Sequence, residues 1–503
     1  MPGRLQDPSL SRLAHSLLWP GFNGHVAPDW LMHALDRGLA GAVYFEQNID
    51  ATDPVQAREL SARIHDANPN ALIGVDEEGG IVTRLEAAAG SSTPGNAVLG
   101  RIDDIDVTER TAAWIGAIVA AAGIDVDLAP TVDVNSNPRN PVIGVRSFSA
   151  DTDLVSRHAA AYVRGIQSAG IAACPKHFPG HGDTVTDSHL DAATSDITIE
   201  ELRRIHLPPF RVAIEAGAKA LMSAHIRVPA LGDAPATLNR TSLDIARELG
   251  FDGVLITDAV DMAAIRGTVG SGPGAVAALN AGADLICIGN PVTNPQIGGA
   301  RTDELEFNEP LHAIYDALQS GELPLARAEQ AAGRNAELAA WRRRQPVAAD
   351  APEDFDGASL AAQAASVIGD VRLSGTTATT IDARTKRSIA VGDAPDFFTL
   401  ALREFLPTDR VALGGLSDTD AAARACAVLA DRQGDVILLV NQPQNSAFES
   451  TVLDAVLQAA PNTIVVYAGW PAETAPAARR AILTYGASRA TAQHAARVLG
   501  GQA

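Results

Sequence analysis

The sequence predicts an α/β protein: a (β/α)8 barrel followed by a smaller α/β sandwich domain. Three observations carry the prediction. Eight short apolar runs recur along the first 290 residues, at about 15–20, 42–45, 72–75, 126–130, 171–174, 220–224, 253–257 and 284–288. Between most of them lie Ala-rich segments dotted with Arg and Glu, such as 54–67 and 154–168, whose composition favours helix. Past residue 344 the pattern restarts with further strand-like runs. Eight strands alternating with helices is the count of a closed parallel barrel.

Taken in order, the runs of the first part lead into groups that can bind a polyol or move a proton. Run two is followed by Glu46, Gln47 and Asn48, and run three by Asp76, Glu77 and Glu78. Run four leads to Asp133 and on to Arg139, Asn140 and Arg146; run five ends at Lys176 and His177. Runs six, seven and eight end at His225, Asp258, and Gly289 with Asn290. In a barrel these positions share the C-terminal rim, where enzymes of that architecture keep their chemistry. A barrel with a purely structural task does not need such groups on nearly every strand. One helical stretch, 311–344, closes a first domain spanning 1–344. The segment 345–356, with Pro346, Pro352 and several acids, reads as a linker. In the second domain, 357–503, strand-like runs at 388–391, 411–414, 436–440 and 463–468 are separated by helical segments such as 419–431. That alternation gives a sandwich around a mostly parallel sheet. It contains no GxGxxG or P-loop, so no nucleotide cofactor is expected.

Composition narrows the partners. A formal net charge of −21 argues against nucleic acid or an anionic membrane surface, and leaves a neutral sugar open. The cysteines Cys174, Cys287 and Cys426 are odd in number and widely spaced, as for reduced thiols. No run reaches the length of a membrane span, and the first residues lack a signal-peptide pattern, so a cytoplasmic location is expected.

The most informative stretch is 171–191, IAACPKHFPGHGDTVTDSHLD. A buried-strand run breaks into Pro175, Pro179, Gly180 and Gly182, a pattern that excludes helix and regular strand. Lys176, three histidines (177, 181, 189) and three aspartates (183, 187, 191) crowd this loop. His177, His181, Asp183, Asp187 and His189 are all possible metal ligands. They lack the HExxH spacing, however, and Pro and Gly between them make a poor helical ligand face, so neither metal nor cofactor is expected. The string KHFPGHGDT followed by DSH resembles glycoside hydrolase family 3, in its β-N-acetylglucosaminidase branch. The resemblance implies that His189 is the general acid/base and Asp187 its partner. A neighbouring carboxylate would raise the imidazole pKa and select its tautomer.

Retaining glycoside hydrolysis also needs a nucleophile beneath the anomeric carbon. Asp258, after the apolar run GVLIT, would be aimed at the barrel mouth by a rigid strand, and the family's nucleophile follows a Ser or Thr in that way. Asp261 is its competitor, and helix capping its bland alternative. By the same resemblance Asp76 accepts hydrogen bonds from sugar hydroxyls, while Arg84, Arg146, Lys176 and His177 donate to the sugar or lock the acids. His225, in the string MSAH, lies beside the sugar or is a satisfied core residue. The function implied is a retaining exo-β-N-acetylglucosaminidase acting on peptidoglycan or chitin fragments that end in GlcNAc. A phosphorylase on the same scaffold, a β-glucosidase-type family member and a non-catalytic sugar-binding protein are the alternatives.

Overall fold

The computed structural model describes residues 5–53, 55–185, 193–289, 303–346, 355–385, 396–431, 434–470 and 477–502. Their contacts divide the chain into two compact units. The first comprises the described residues of Met1–Glu78, Ile105–Asn137 and Ala150–Glu353; the second those of Gly79–Asp104, Pro138–Ser149 and Asp354–Ala503.

The first unit is the expected barrel. Its strands are β1 Leu18–Pro20, β2 Gly41–Tyr44, β3 Leu72–Val75, β4 Val126–Asp127, β5 Ala172–Ala173, β6 Ala220–Ser223, β7 Val254–Thr257 and β8 Ile286–Ile288. All paired neighbours are parallel: β2 to β5 in order, β6 with β7, and β1 with β8. Single bridges Gly21↔Val43, Phe178↔Ser223 and Ile256↔Leu285 join these groups, so the strands run round in chain order and close. Buried on both sides, they read as continuous apolar runs rather than alternating ones. Trp19 fills the interior and donates its indole N–H to the Leu72 carbonyl at 2.7 Å, together with Val43, Leu128, Met222 and Ile256.

The intervening helices are fixed by ordinary caps and apolar faces. Helix Thr152–Ser168 begins where the Asp151 carboxylate accepts the Leu154 N–H at 2.8 Å, and it buries Val155, Ala159, Tyr162 and Ile166. The helical stretch expected over 311–344 is two helices, Asp303–Ser320 and Leu325–Arg343. Gly321, at φ +82°, ends the first, and Pro324 stands at the N-cap of the second, where its missing N–H leaves no helical bond unmade.

The second unit holds a six-stranded sheet in the order β11-β10-β12-β13-β14-β9. Its strands are β9 Ser366–Ile368, β10 Ala378–Asp382, β11 Thr408–Ala412, β12 Asp435–Val440, β13 Ile464–Tyr467 and β14 Arg480–Leu483. Only β9, at the edge, is antiparallel. Along β12, Leu438 and Val440 enter one core while Ile437 and Leu439 enter another, as a sheet covered on both faces requires. Strands β9, β10 and β14 were absent from the sequence reading, and its run 388–391 lies outside the described residues, as does most of the 345–356 linker.

The division between units is not one cut in the chain. The segments 79–104 and 138–149, read from sequence as parts of the first domain, pack with the second. Ala97 and Val98, on helix Asn96–Ile102, join the core of Leu438 and Val452. Arg101 donates to the Ala364 carbonyl at 2.9 Å and lies 4.6 Å from the centre of the Tyr485 ring.

Candidate active site

Several residues singled out from sequence stand just past the C-terminal ends of the first unit's strands, among them Asp76 after β3, His225 after β6 and Asp258 after β7. After β5, Lys176 is almost fully buried, with Nζ 2.6 Å from Asp76 Oδ1 and 2.7 Å from Glu78 Oε1. Glu78 is held in turn: its Oε2 accepts the Thr131 hydroxyl at 3.1 Å and its carbonyl accepts the Tyr162 hydroxyl at 3.0 Å. A buried ammonium between two carboxylates is stable only with such satisfied geometry. Asp76 is the outermost of the three, its side chain 19% exposed, and so faces the barrel mouth. Beneath it, Asp127 accepts the Glu77 N–H at 3.0 Å, and burial pushes the Asp127 carboxyl well above the usual range.

A second centre forms around Asp133, which is wholly buried. It accepts the backbone N–H groups of His177 and His181, the latter at 2.6 Å, and lies 2.7 Å from His177 Nδ1. Burial opposes its charge, but His177 and His181 outweigh that and hold its pKa below the ordinary value. The carboxylate acceptor fixes the His177 proton on Nδ1. The loop is shaped by its glycines: a Cβ at Gly182 would sit 1.7 Å from the Val134 carbonyl oxygen, and one at Gly180, φ +130°, 2.7 Å from His206 Cβ. The Lys176–His177 and Phe178–Pro179 peptide bonds are cis.

At the end of β7, the Asp258 N–H donates to Ser223 on β6 at 3.0 Å, and its half-buried carboxylate accepts the Ala259 N–H at 2.8 Å. The next helix, Ala263–Arg266, takes Met262 as its N-cap, so capping is not the task of Asp258. The rival Asp261 is 5% exposed and committed elsewhere, accepting the Gly289 N–H at 2.6 Å beyond β8. Burial raises its pKa. His225, also buried, donates from Nε2 to the Ala259 carbonyl at 2.8 Å and meets the Thr237 hydroxyl through Nδ1 at 2.9 Å. It therefore holds the backbone next to Asp258. The charges of Asp258, Asp261 and Asp76 all add to burial in raising the Cys287 thiol inside the barrel, so these acids converge on one end.

Of the residues singled out from sequence, Asp76 and Lys176 meet directly, and His225 meets the backbone next to Asp258. Arg84 and Arg146 are buried members of the second unit. Arg146 follows the turn capped by Asn140, whose Oδ1 accepts from Val142 and Ile143, and its carbonyl accepts from Asn96 at 2.8 Å. His189 and Asp187 lie outside the described residues, as do Asp191 and Asn290. Sequence reasoning left Glu78, Asp133 and Tyr162 without roles, although the first two stand at strand ends where a buried acid is itself a signal. His206 was also missed: it is buried against Gly180, and neither ring nitrogen has a hydrogen-bond partner among the described residues.

Residues 21–338 match the model of the glycosyl hydrolase family 3 N-terminal domain. The chain belongs to glycosyl hydrolase family 3. It is 33% identical over 323 residues to beta-hexosaminidase A of Pseudoalteromonas piscicida, covering 60% of this chain and 53% of that protein, about half the relative's length. With a beta-hexosaminidase of Stenotrophomonas maltophilia it shares 39% identity over 272 residues, 52% of this chain and 79% of the relative. The structure of a family 3 β-N-acetylglucosaminidase from Paenibacillus sp. str. FPU-7 superimposes with a TM-score of 0.85 at 29% identity, covering 98% of this chain and 97% of that one. Family membership by sequence thus rests on residues 21–338, while the structural likeness extends over 98% of the chain. Among the described residues no helix is long and apolar enough to cross a membrane.

Proposed function

We propose that the protein is a retaining exo-β-N-acetylglucosaminidase that removes terminal β-linked GlcNAc from oligosaccharides. One observation carries the assignment of roles: Asp258 stands at the end of a barrel strand, fixed by Ser223 and Ala259, while Asp261 is tied to Gly289. The names of the relatives support the substrate class. In this reading the Asp258 carboxylate attacks the anomeric carbon as the glycosidic C–O bond breaks. His189, oriented by Asp187, gives its proton to the leaving oxygen. The glycosyl ester on Asp258 is then opened by water, whose proton passes to His189 and whose oxygen ends on the anomeric carbon with net retention.

The remaining groups bind. Asp76, its position set by Lys176, accepts from sugar hydroxyls. His177, oriented by Asp133, serves as a donor to the sugar or to the acids around it. His225 positions the Asp258 peptide rather than touching the sugar. The physiological substrates are peptidoglycan or chitin fragments handled in the cytoplasm. Free Cys174 and Cys287, buried in the barrel, suit that reducing compartment.

A panel of chromogenic β-glycosides of GlcNAc, GalNAc, Glc and Xyl tests the proposal, with and without added phosphate. Release from the GlcNAc glycoside alone, independent of phosphate, is expected. His189→Ala should lose most activity and regain part of it with azide, giving a β-glycosyl azide. Phosphate-dependent release with GlcNAc 1-phosphate as product would replace hydrolysis by phosphorolysis.

A further inference from the structure

Behind the barrel, away from the strand ends that carry Asp258, lies a cavity of about 210 Å³, far above the ~10–15 Å³ that one water needs. It opens between helix Arg240–Glu248 and helix Leu325–Arg343, with Leu255, near the start of β7, and Gly282, ahead of β8, in its wall. Four guanidiniums line it: Arg240, Arg247, Arg327 and Arg334. On one helix Arg240 and Arg247 are two turns apart, as Arg327 and Arg334 are on the other, so each helix aims its basic stripe at the same space.

The positive charge there is only partly answered. Asp284, fully buried ahead of β8, takes Arg247 at 2.6 Å, Arg327 at 2.9 Å and Arg334 at 3.1 Å. Asp284 lies behind the wall; in the lining itself the acid is Asp244, which is exposed. Four cations against two carboxylates leave an excess of two positive charges, in a chain whose overall balance is −21. Arg247 feels this excess: burial first, then repulsion from Arg334 and Arg327, lowers its pKa against the pull of Asp284.

The hydrogen-bond inventory separates two kinds of arginine. Arg247 and Arg327 are committed to the fold, spending donors on the carbonyls of Phe251, Gly253, Leu279 and Ala283 as well as on Asp284. Arg334 makes one such bond, from Nη1 to Asp284, and Arg240 one, from Nη2 to the Asn280 carbonyl. Their remaining N–H groups have no protein acceptor among the described residues. A barrel needing only a brace for Asp284 would be served by the first pair.

We infer that this cavity is a second ligand site, for a compact phosphate-type oxyanion, either free or carried on a small sugar. Guanidinium forks match the paired oxygens of such a group. The charge excess matches its two negative charges.

Calorimetric titration of the full chain, at constant ionic strength so that general screening is unchanged, tests this. Inorganic phosphate, pyrophosphate and a hexosamine 6-phosphate are the probes, with saturating GlcNAc keeping the barrel mouth occupied. One saturable site is expected, with Kd below about 1 mM for at least one probe, and at least about tenfold weaker in Arg334→Gln. Arg240→Gln is the second variant, because Arg240 is exposed and its loss removes only one bond to a carbonyl; it should weaken binding likewise. Preference for inorganic phosphate or pyrophosphate assigns the free anion, and preference for the sugar phosphate the carried group. Absence of saturable binding, affinity unchanged in Arg240→Gln, or binding that appears only when GlcNAc is left out would each overturn the inference. None of these outcomes bears on hydrolysis by Asp258.

Discussion

Asp258 and Asp261 are three residues apart and chemically alike, yet Asp258 stands half-buried at the end of β7 while Asp261 is buried and tied to Gly289. Asp258→Asn should lower kcat by at least about 10⁴-fold, some 5.5 kcal/mol of barrier, with the melting temperature nearly unchanged. Asp261→Asn should do the reverse. It weakens the bond to Gly289 and costs about 1–3 kcal/mol of stability by denaturant titration, with a much smaller effect on kcat. Lys176 belongs with the first class and the second at once. Lys176→Met leaves Asp76 and Glu78 without their buried cation, so both stability, by about 3–5 kcal/mol, and kcat/KM should fall. Far from the site, burial pushes the His15 imidazole down to about 4, against an unfolded value near 6.5. The unfolded chain therefore binds the proton first as pH falls. The stability His15 contributes is complete above pH ~6.5 and is lost toward pH ~4, about 2 kcal/mol by pH 5. A melting curve at pH 5 against pH 7 should show that loss, reduced in His15→Gln.

At the scale of elements, the loop after β5 is held by backbone approach. Gly182→Ala places a methyl within the Val134 carbonyl, so the chain from His177 to Asp183 must shift. A displacement of that kind should cost about 10²-fold in kcat/KM for the GlcNAc glycoside while the fold persists by circular dichroism. The barrel strands were legible because a parallel strand buried on both faces is one apolar run, and Leu72–Val75 or Val254–Thr257 look like nothing else. In the second unit β10, Ala378–Asp382, is rich in Thr and ends in Asp, and the edge strand Ser366–Ile368 is short and partly exposed. Neither gives that signal. The candidate site was legible as position where single residues follow a strand: Asp76, Lys176 and Asp258 stand just past β3, β5 and β7 as the runs predict. It was not legible where a role depends on a distant partner: Asp133 acquires its meaning only from His177, 44 residues on, and Tyr162 from the carbonyl of Glu78, 84 residues earlier.

For the whole molecule, the two units are interleaved in sequence. Since 79–104 and 138–149 pack with the C-terminal part, removing residues after 346 strips the cover from Ala97 and Val98. Such a truncated chain should aggregate or bind hydrophobic dye; a soluble, cooperatively unfolding barrel would show instead that those segments need no second unit. The proposed reaction rests on a sugar ester at Asp258, and trapping that ester is its most direct test. The full chain is incubated with a GlcNAc glycoside whose second step is slowed, then digested and mapped by mass spectrometry. One sugar on the peptide containing Asp258, absent in Asp258→Asn, together with a product that first appears as the β-anomer, is the expected result. A sugar attached elsewhere, or an α-anomer as first product, would contradict it.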